Sequence, residues 1–162
     1  MNRLPLLLLV LLAACQNEGG DSAQTTEQPD LKAELPGTWE AISLRVTVNS
    51  ANGQDSSYVF EVNEEQWVSR YGVQPVKTVY QPDNKYREEY YGMNDSLLNQ
   101  ARGIWNVFGD TLMMITPNET NQYIVSLSEG RSEFRALVDW DEDGAADDEY
   151  LRVNRLVSLE TE

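Results

Sequence analysis

Apolar and polar residues alternate along most of the chain, and turn-forming residues break the alternation at short intervals. Within Trp39–Val48, Ile42, Leu44, Val46 and Val48 fall on one side of an extended strand. Asn52-Gly53 then signals a hairpin. Tyr58, Phe60 and Val62 share the next face, Gln66–Tyr71 reads as a further strand, and Gly72 and Pro75 punctuate. Val76–Gln81 puts Val76, Thr78 and Tyr80 on one side, and Pro82-Asp83-Asn84 turns into Tyr86–Tyr91. Gly92–Asp95 is another turn, followed by a brief helical turn or loop over Ser96–Gln100. Gly103–Phe108 and Thr111–Thr116 are strands joined by Gly109-Asp110. Tyr123–Leu127, Ser132–Val138 after Glu129-Gly130, and Tyr150–Val157 complete the set. About ten short strands with short connections predict an all-β fold, an antiparallel up-and-down barrel of about 8–10 strands. Closing the meander removes exposed sheet edges. A two-sheet sandwich is the rival, and it lacks the long crossover it would need.

The N-terminus follows a different pattern. Arg3 precedes an apolar run from Leu4 to Ala14, too short to span a bilayer, for which about twenty residues are needed. It reads as a signal-peptide core. Its end, Leu12-Ala13-Ala14-Cys15, resembles the lipobox of bacterial lipoproteins, which implies cleavage before Cys15 and lipidation of its sulfur. Cys15 is the only cysteine, so no intrachain disulfide can form. With Gln16 rather than aspartate after the cysteine, the family rule implies an outer-membrane location, the leaflet left open. The following residues are polar and poor in large apolar side chains, the composition of a flexible tether. The organisation expected is a signal peptide at 1–14, a tether at 15–34 and a barrel domain at 35–159.

The chain has 12 basic and 27 acidic residues, a formal charge of −15. Such a charge repels nucleic acid phosphates and favours cations and basic proteins. Histidine is absent, which removes serine–histidine and cysteine–histidine catalysis and the usual zinc ligands. The adjacent pairs Glu64-Glu65 and Glu88-Glu89 face opposite ways on a strand and cannot work as one-sided dyads. An enzyme is not expected.

One segment carries metal-like spacing. Asp139-Trp140-Asp141-Glu142-Asp143-Gly144-Ala145-Ala146-Asp147-Asp148-Glu149 sits between the last two strands and resembles an EF-hand-type calcium loop moved to a β-hairpin. Asp139, Asp141 and Asp143 match positions 1, 3 and 5, Gly144 the turn at 6, Ala145 the carbonyl at 7 and Asp147 position 9. Position 12 is Tyr150 rather than glutamate, so Asp148 or Glu149 would have to close the shell. Calcium is the expected ion, and a solvated acidic hairpin tip is the alternative.

Leu35-Pro36-Gly37-Thr38-Trp39 and Gly103-Ile104-Trp105-Asn106-Val107-Phe108-Gly109-Asp110-Thr111-Leu112 together resemble the Gly-x-Trp and G-x-W…G-D-x-L motifs of bacterial lipocalin-like lipoproteins. The resemblance implies a small-ligand barrel with Trp39 plugging its closed end. Phe60, Tyr80, Tyr90, Trp105, Tyr123 and Phe134 are the candidate lining residues, although aromatic side chains also fill small barrels. The expected function is a non-enzymatic envelope lipoprotein, held to the membrane by its lipid, that binds a small hydrophobic ligand. The alternative is a protein-interaction or structural lipoprotein with a packed barrel, including an inhibitor of a basic enzyme.

Overall fold

The computed structural model describes residues 30–161. Its elements are α1 (Leu31–Glu34), β1 (Gly37–Val48), β2 (Tyr58–Asn63), α2 (Glu64–Tyr71), β3 (Lys77–Tyr80), β4 (Lys85–Tyr91), β5 (Leu97–Phe108), β6 (Thr111–Ile115), β7 (Thr120–Ser128), β8 (Arg131–Val138) and β9 (Asp148–Ser158). Every strand pairs antiparallel with its neighbours, and β1 also pairs with β9, closing the sheet on itself. The result is the expected all-β architecture, an eight-stranded antiparallel barrel consistent with a lipocalin-like fold. No described helix is long and apolar enough to cross a membrane.

Nine strands give eight barrel positions because β2 and β3 share one. β1 pairs with β3 through Gly37–Glu40 and with β2 through Ser43–Val48, along the same edge. Helix α2 occupies the break between them, where a strand is expected over Gln66–Tyr71 and Trp67, Ser69 and Tyr71 alternate with more polar neighbours. A capping box overrides that alternation: Asn63 Oδ1 accepts from Gln66 N and Gln66 Oε1 accepts from Asn63 N, both at 3.1 Å. A second correction concerns Ser96–Gln100, whose Leu97–Gln100 portion is the first part of the twelve-residue β5. Its pairing with β4 outweighs the local turn composition. A third concerns β1. A register shift between Ala41 and Ser43 places an extra residue at Ile42, so Trp39 and Ala41 face inward together with Leu44, Val46 and Val48, and Ile42 leaves that face.

The turns predicted at Gly109-Asp110 and Glu129-Gly130 form as two-residue hairpins, with positive φ at Gly109, Glu129 and Gly130. Residues just ahead of the boundary expected at residue 35 also pack on the barrel. Leu31 and Leu35 are buried, and Lys32 Nζ lies 4.1 Å from the centre of the Trp105 ring. Trp39 donates from Nε1 to the Leu35 carbonyl at 2.8 Å. Thus α1 and Trp39 close one end of the barrel. Cys15, the signal peptide and the tether as far as residue 29 lie outside the described residues.

The interior is layered. At the closed end, Trp39, Tyr80, Tyr86, Trp105, Leu112, Met114, Val125 and Phe134 form one apolar cluster. At the opposite end, Val46, Val48 and Ala51 form a second, joined by Leu44, Phe60 and Tyr150. Inward positions between them on β3, β4 and β9 are polar: Thr78, Glu88, Arg152 and Asn154. The mouth and the charges beneath it therefore stand opposite the plug.

Candidate ligand and cation sites

The barrel wall opens at the mouth between β7 and β8. Their pairing runs from Ser128–Arg131 only as far as Ile124–Arg135. Beyond that, β7 continues to Thr120 against β6 and β8 continues to Val138 against β9. The two strands splay, leaving a cleft of about 560 Å³. Asn121 and Tyr123 form one side, Ala136, Val138 and Trp140 the other, and Tyr150 also faces it. The Tyr123 and Tyr150 rings lie 5.6 Å apart, and Trp140 packs on Phe60 at 5.3 Å.

Arg152 stands one inward position below Tyr150 on β9, opposite Phe134, which is one inward position below Ala136 on β8. Its Nη1 donates to Glu88 Oε1 at 3.2 Å, and the guanidinium carbon lies 5.0 Å from the centre of the Phe134 ring. The Glu88 carboxylate also accepts from Thr78 Oγ1 at 3.4 Å and from the Tyr90 hydroxyl at 3.3 Å. Burial alone would pull the Arg152 pKa down. The surroundings, above all Tyr150 and Glu88, outweigh it and hold the group above its ordinary range, so it stays charged. Burial pushes the nearby phenols the other way, Tyr86 and Tyr90 from 10.0 to about 12 and Tyr80, Tyr123 and Tyr150 also upward. All five remain hydrogen-bond donors at neutral pH.

The six aromatic residues expected to line a cavity have separate fates. Tyr80, Trp105 and Phe134 are at most 1% exposed and pack ring to ring, Tyr80 meeting Trp105 at 5.8 Å and Phe134 at 6.5 Å. They fill the closed half rather than line a space. Tyr90 is spent on Glu88, Phe60 belongs to the apolar cluster at the mouth, and Tyr123 lines the cleft. The sequence reading missed Glu88, Tyr150 and Arg152. Tyr150–Val157 mixes polar and apolar residues on both faces, so only the pairing with β1 and β8 reveals that Arg152 points inward.

The acidic loop bounds the same mouth. Asp139, Asp141 and Asp143 each offer a carboxylate oxygen within 4.8 Å of the others. Backbone amides shape the cluster: Gly144 N donates to Asp139 Oδ2 at 3.0 Å, Asp143 N to Asp141 Oδ1 at 3.3 Å and Ala145 N to Asp143 Oδ1 at 2.9 Å. Gly144 takes φ +94°, the sharp turn expected at that position. Asp143 Oδ2 also accepts from Gly53 N at 2.8 Å, tying the loop to the β1–β2 connection. A hard, oxygen-seeking cation fits this trio.

Asp147 and Asp148 do not join it. The Asp147 carbonyl accepts from Asn49 Nδ2 at 2.9 Å. Asp148, fully buried, accepts from Asn49 N at 2.9 Å and from Trp140 N at 2.7 Å. These bonds staple the end of β1 to the start of the loop, and Asp148 stands outside the trio of converging carboxylates. Asp148→Ala would leave both amides unsatisfied, and unfolding in urea should show a loss of about 2–4 kcal/mol, with or without calcium. A loss under 1 kcal/mol would show that the staple contributes little.

No protein-family model, curated protein or solved structure matches this chain.

Proposed function

We propose that this chain is a non-enzymatic, small-molecule binding barrel of the bacterial envelope, held to the outer membrane by lipid on Cys15. It takes a small hydrophobic molecule between β7 and β8. The observation that carries the reading is the parting of these strands over a cleft of about 560 Å³ lined by Tyr123, Ala136, Val138, Trp140 and Tyr150. Its size is that of a small-ligand site, and its walls mix apolar side chains with hydroxyls, the amides of Asn121 and Gln122 and the carboxylates of Glu119 and Asp139. Anchoring rests on Leu12-Ala13-Ala14-Cys15, and the likeness to lipocalin-like lipoproteins on the two Gly-x-Trp segments. The acidic loop binds calcium through Asp139, Asp141 and Asp143, and the cation stiffens the mouth by relieving repulsion among the three carboxylates.

The packed closed half favours a second reading, in which the barrel is a scaffold and its acidic surface meets a basic protein. Native mass spectrometry of protein extracted from its own membrane separates the two. The first reading expects a copurifying small molecule, lost when Ala136→Trp blocks the cleft in a variant that still melts cooperatively. Protein carrying no such molecule in either form supports the second. For the cation, calcium should raise the melting temperature as RT ln(1 + [Ca]/Kd), with Kd near the 10⁻⁴–10⁻³ M of extracellular modules. An equal rise with magnesium, or in Asp141→Ala/Asp143→Ala, would reduce the loop to a screened hairpin tip.

A further inference from the structure

The outer wall of the barrel carries its charge unevenly. Outward positions alternate with the buried Trp105, Leu112, Met114 and Val125, so the strand register fixes which side chains face solvent. Among the described residues, no outward position is charged from Ile104 onward on β5 or anywhere on β6 and β7. Charged residues make up 24% of the chain and belong on such surfaces. They resume only at the borders, with Lys85 and Arg102 on one side and Arg131, Glu133 and Arg135 on the other.

The apolar side chains within this face are contiguous. Ile104 pairs with Ile115, Met113 follows on the same face of β6, and Phe108, Thr111 and Ile124 form one rung. Ile104, Phe108 and Ile124 are 55%, 60% and 49% exposed. Exposed apolar groups that touch one another with no charge among them have the composition of an interface core.

Net charge selects the occupant. At −15, two copies of this chain repel wherever acidic surfaces meet, and an uncharged face lets them approach. A basic protein would gain more from the acidic loop at the mouth, and an anionic lipid surface would need lysines or arginines that this face lacks. The polar residues suit a copy as well. Thr111, Gln122 and Ser126 each donate and accept, so like can pair with like across a two-fold axis, which carboxylates cannot do. An axis lying in the contact and running across the strands sets Phe108 of one copy near Ile104 of the other and sends the two acidic loops to opposite ends.

We propose that the uncharged outer face of β5–β7 joins two copies of this chain in a weak two-fold dimer. Three strands by six residues cover roughly 15 × 20 Å. With side-chain relief that buries about 500 Å² per copy, the low end for a specific interface, and implies a Kd of about 10–100 µM.

Sedimentation velocity on the chain from Gln16 to Glu162, which keeps every described residue, tests this. The weight-average sedimentation coefficient should climb from the monomer value toward the dimer value across that concentration range. Added NaCl should tighten association severalfold by screening net repulsion, whereas a contact made of ion pairs would weaken. Phe108→Glu/Ile124→Glu should weaken it by about tenfold or more, because carboxylates would then be buried unpaired. Val59→Glu, at an exposed outward position on β2 across the barrel, should change it by less than about twofold. Amide shifts that move on dilution of the unmutated chain should map to β5–β7, a reading that does not depend on the variants folding. A monomer at every concentration, dilution shifts elsewhere, or association that survives in Phe108→Glu/Ile124→Glu overturns the proposal. Monomers that instead bind phosphatidylcholine vesicles through this face, with binding lost in the same variant, overturn it in favour of a lipid surface.

Discussion

Gly103→Ala should be among the most destabilising single-methyl changes in this protein, on the order of 3 kcal/mol. A Cβ built at Gly103 lies 2.2 Å from the Ile115 carbonyl oxygen and 2.7 Å from Tyr86 Cε1. The first obstacle is backbone on β6 and cannot rotate away. The second is a buried ring facing Gly103 across the β4–β5 pair and fixed by its contact with Tyr80 at 6.3 Å. Relief requires β6 to shift, which disturbs Met114 and Trp105, paired next to it in the closed-end cluster. Gly37 is the counterpart at the start of β1. It takes φ +144°, and a Cβ there would meet Ser158 O at 2.9 Å. Each glycine of the two Gly-x-Trp segments thus lets backbone approach closely while the tryptophan two residues on fills the plug. Gly109→Ala is the control: φ is +63° and nothing lies within 4 Å, so only the left-handed backbone opposes the methyl, at about 1 kcal/mol. Urea unfolding of all three proteins checks the ranking. Equal losses at Gly103 and Gly109 would mean that β6 yields easily and that close approach is not what the motif provides.

What the sequence disclosed and what it hid follow from the range of the interactions. Local signals carried most of the barrel. Alternation located β4 and β6 to β9, and turn pairs such as Glu129-Gly130 set their connections. The break in the wall was misread because Trp67, Ser69 and Tyr71 alternate as a strand would. Asn63-Glu64-Glu65-Gln66 held the correct signal, a capping box at a helix start. The same division appears in the sites. The carboxylates of Asp139, Asp141 and Asp143 lie close in sequence, and the loop gathers them as their spacing predicts. Asp148 belongs to the same acidic run, but its partner Asn49 is 99 residues away, and that contact makes it a staple between β1 and the loop, which no local spacing reports. Arg152 and Glu88, 64 residues apart, meet only because β4 and β9 face each other across a closed barrel. No pattern within one strand reports such a pair.

That pair supports the second large effect. Arg152 and Glu88 have side chains only 11% and 16% exposed, so each is the main counter-charge of the other in a poorly hydrated layer. Arg152→Met would leave Glu88 with two neutral hydroxyl donors and no cation. Glu88→Gln would leave a guanidinium that burial disfavours and that cannot shed its charge at neutral pH. Each single change should cost about 3–5 kcal/mol, the usual result of stranding one member of a buried pair. For a domain of this size that lowers the melting temperature by roughly 10 °C or more. Arg152→Met/Glu88→Gln should recover most of the loss, because it strands nothing and Met fills space beside Phe134 much as the arginine stem does. A double-mutant cycle in urea should therefore return a coupling of at least about 2 kcal/mol. The exposed pair Arg135–Glu133, with side chains 61% and 42% accessible, should couple by less than about 1 kcal/mol in the same measurement. If the two cycles agree, water reaches Arg152 freely, and the charged layer is an extension of the solvent rather than part of the barrel's interior.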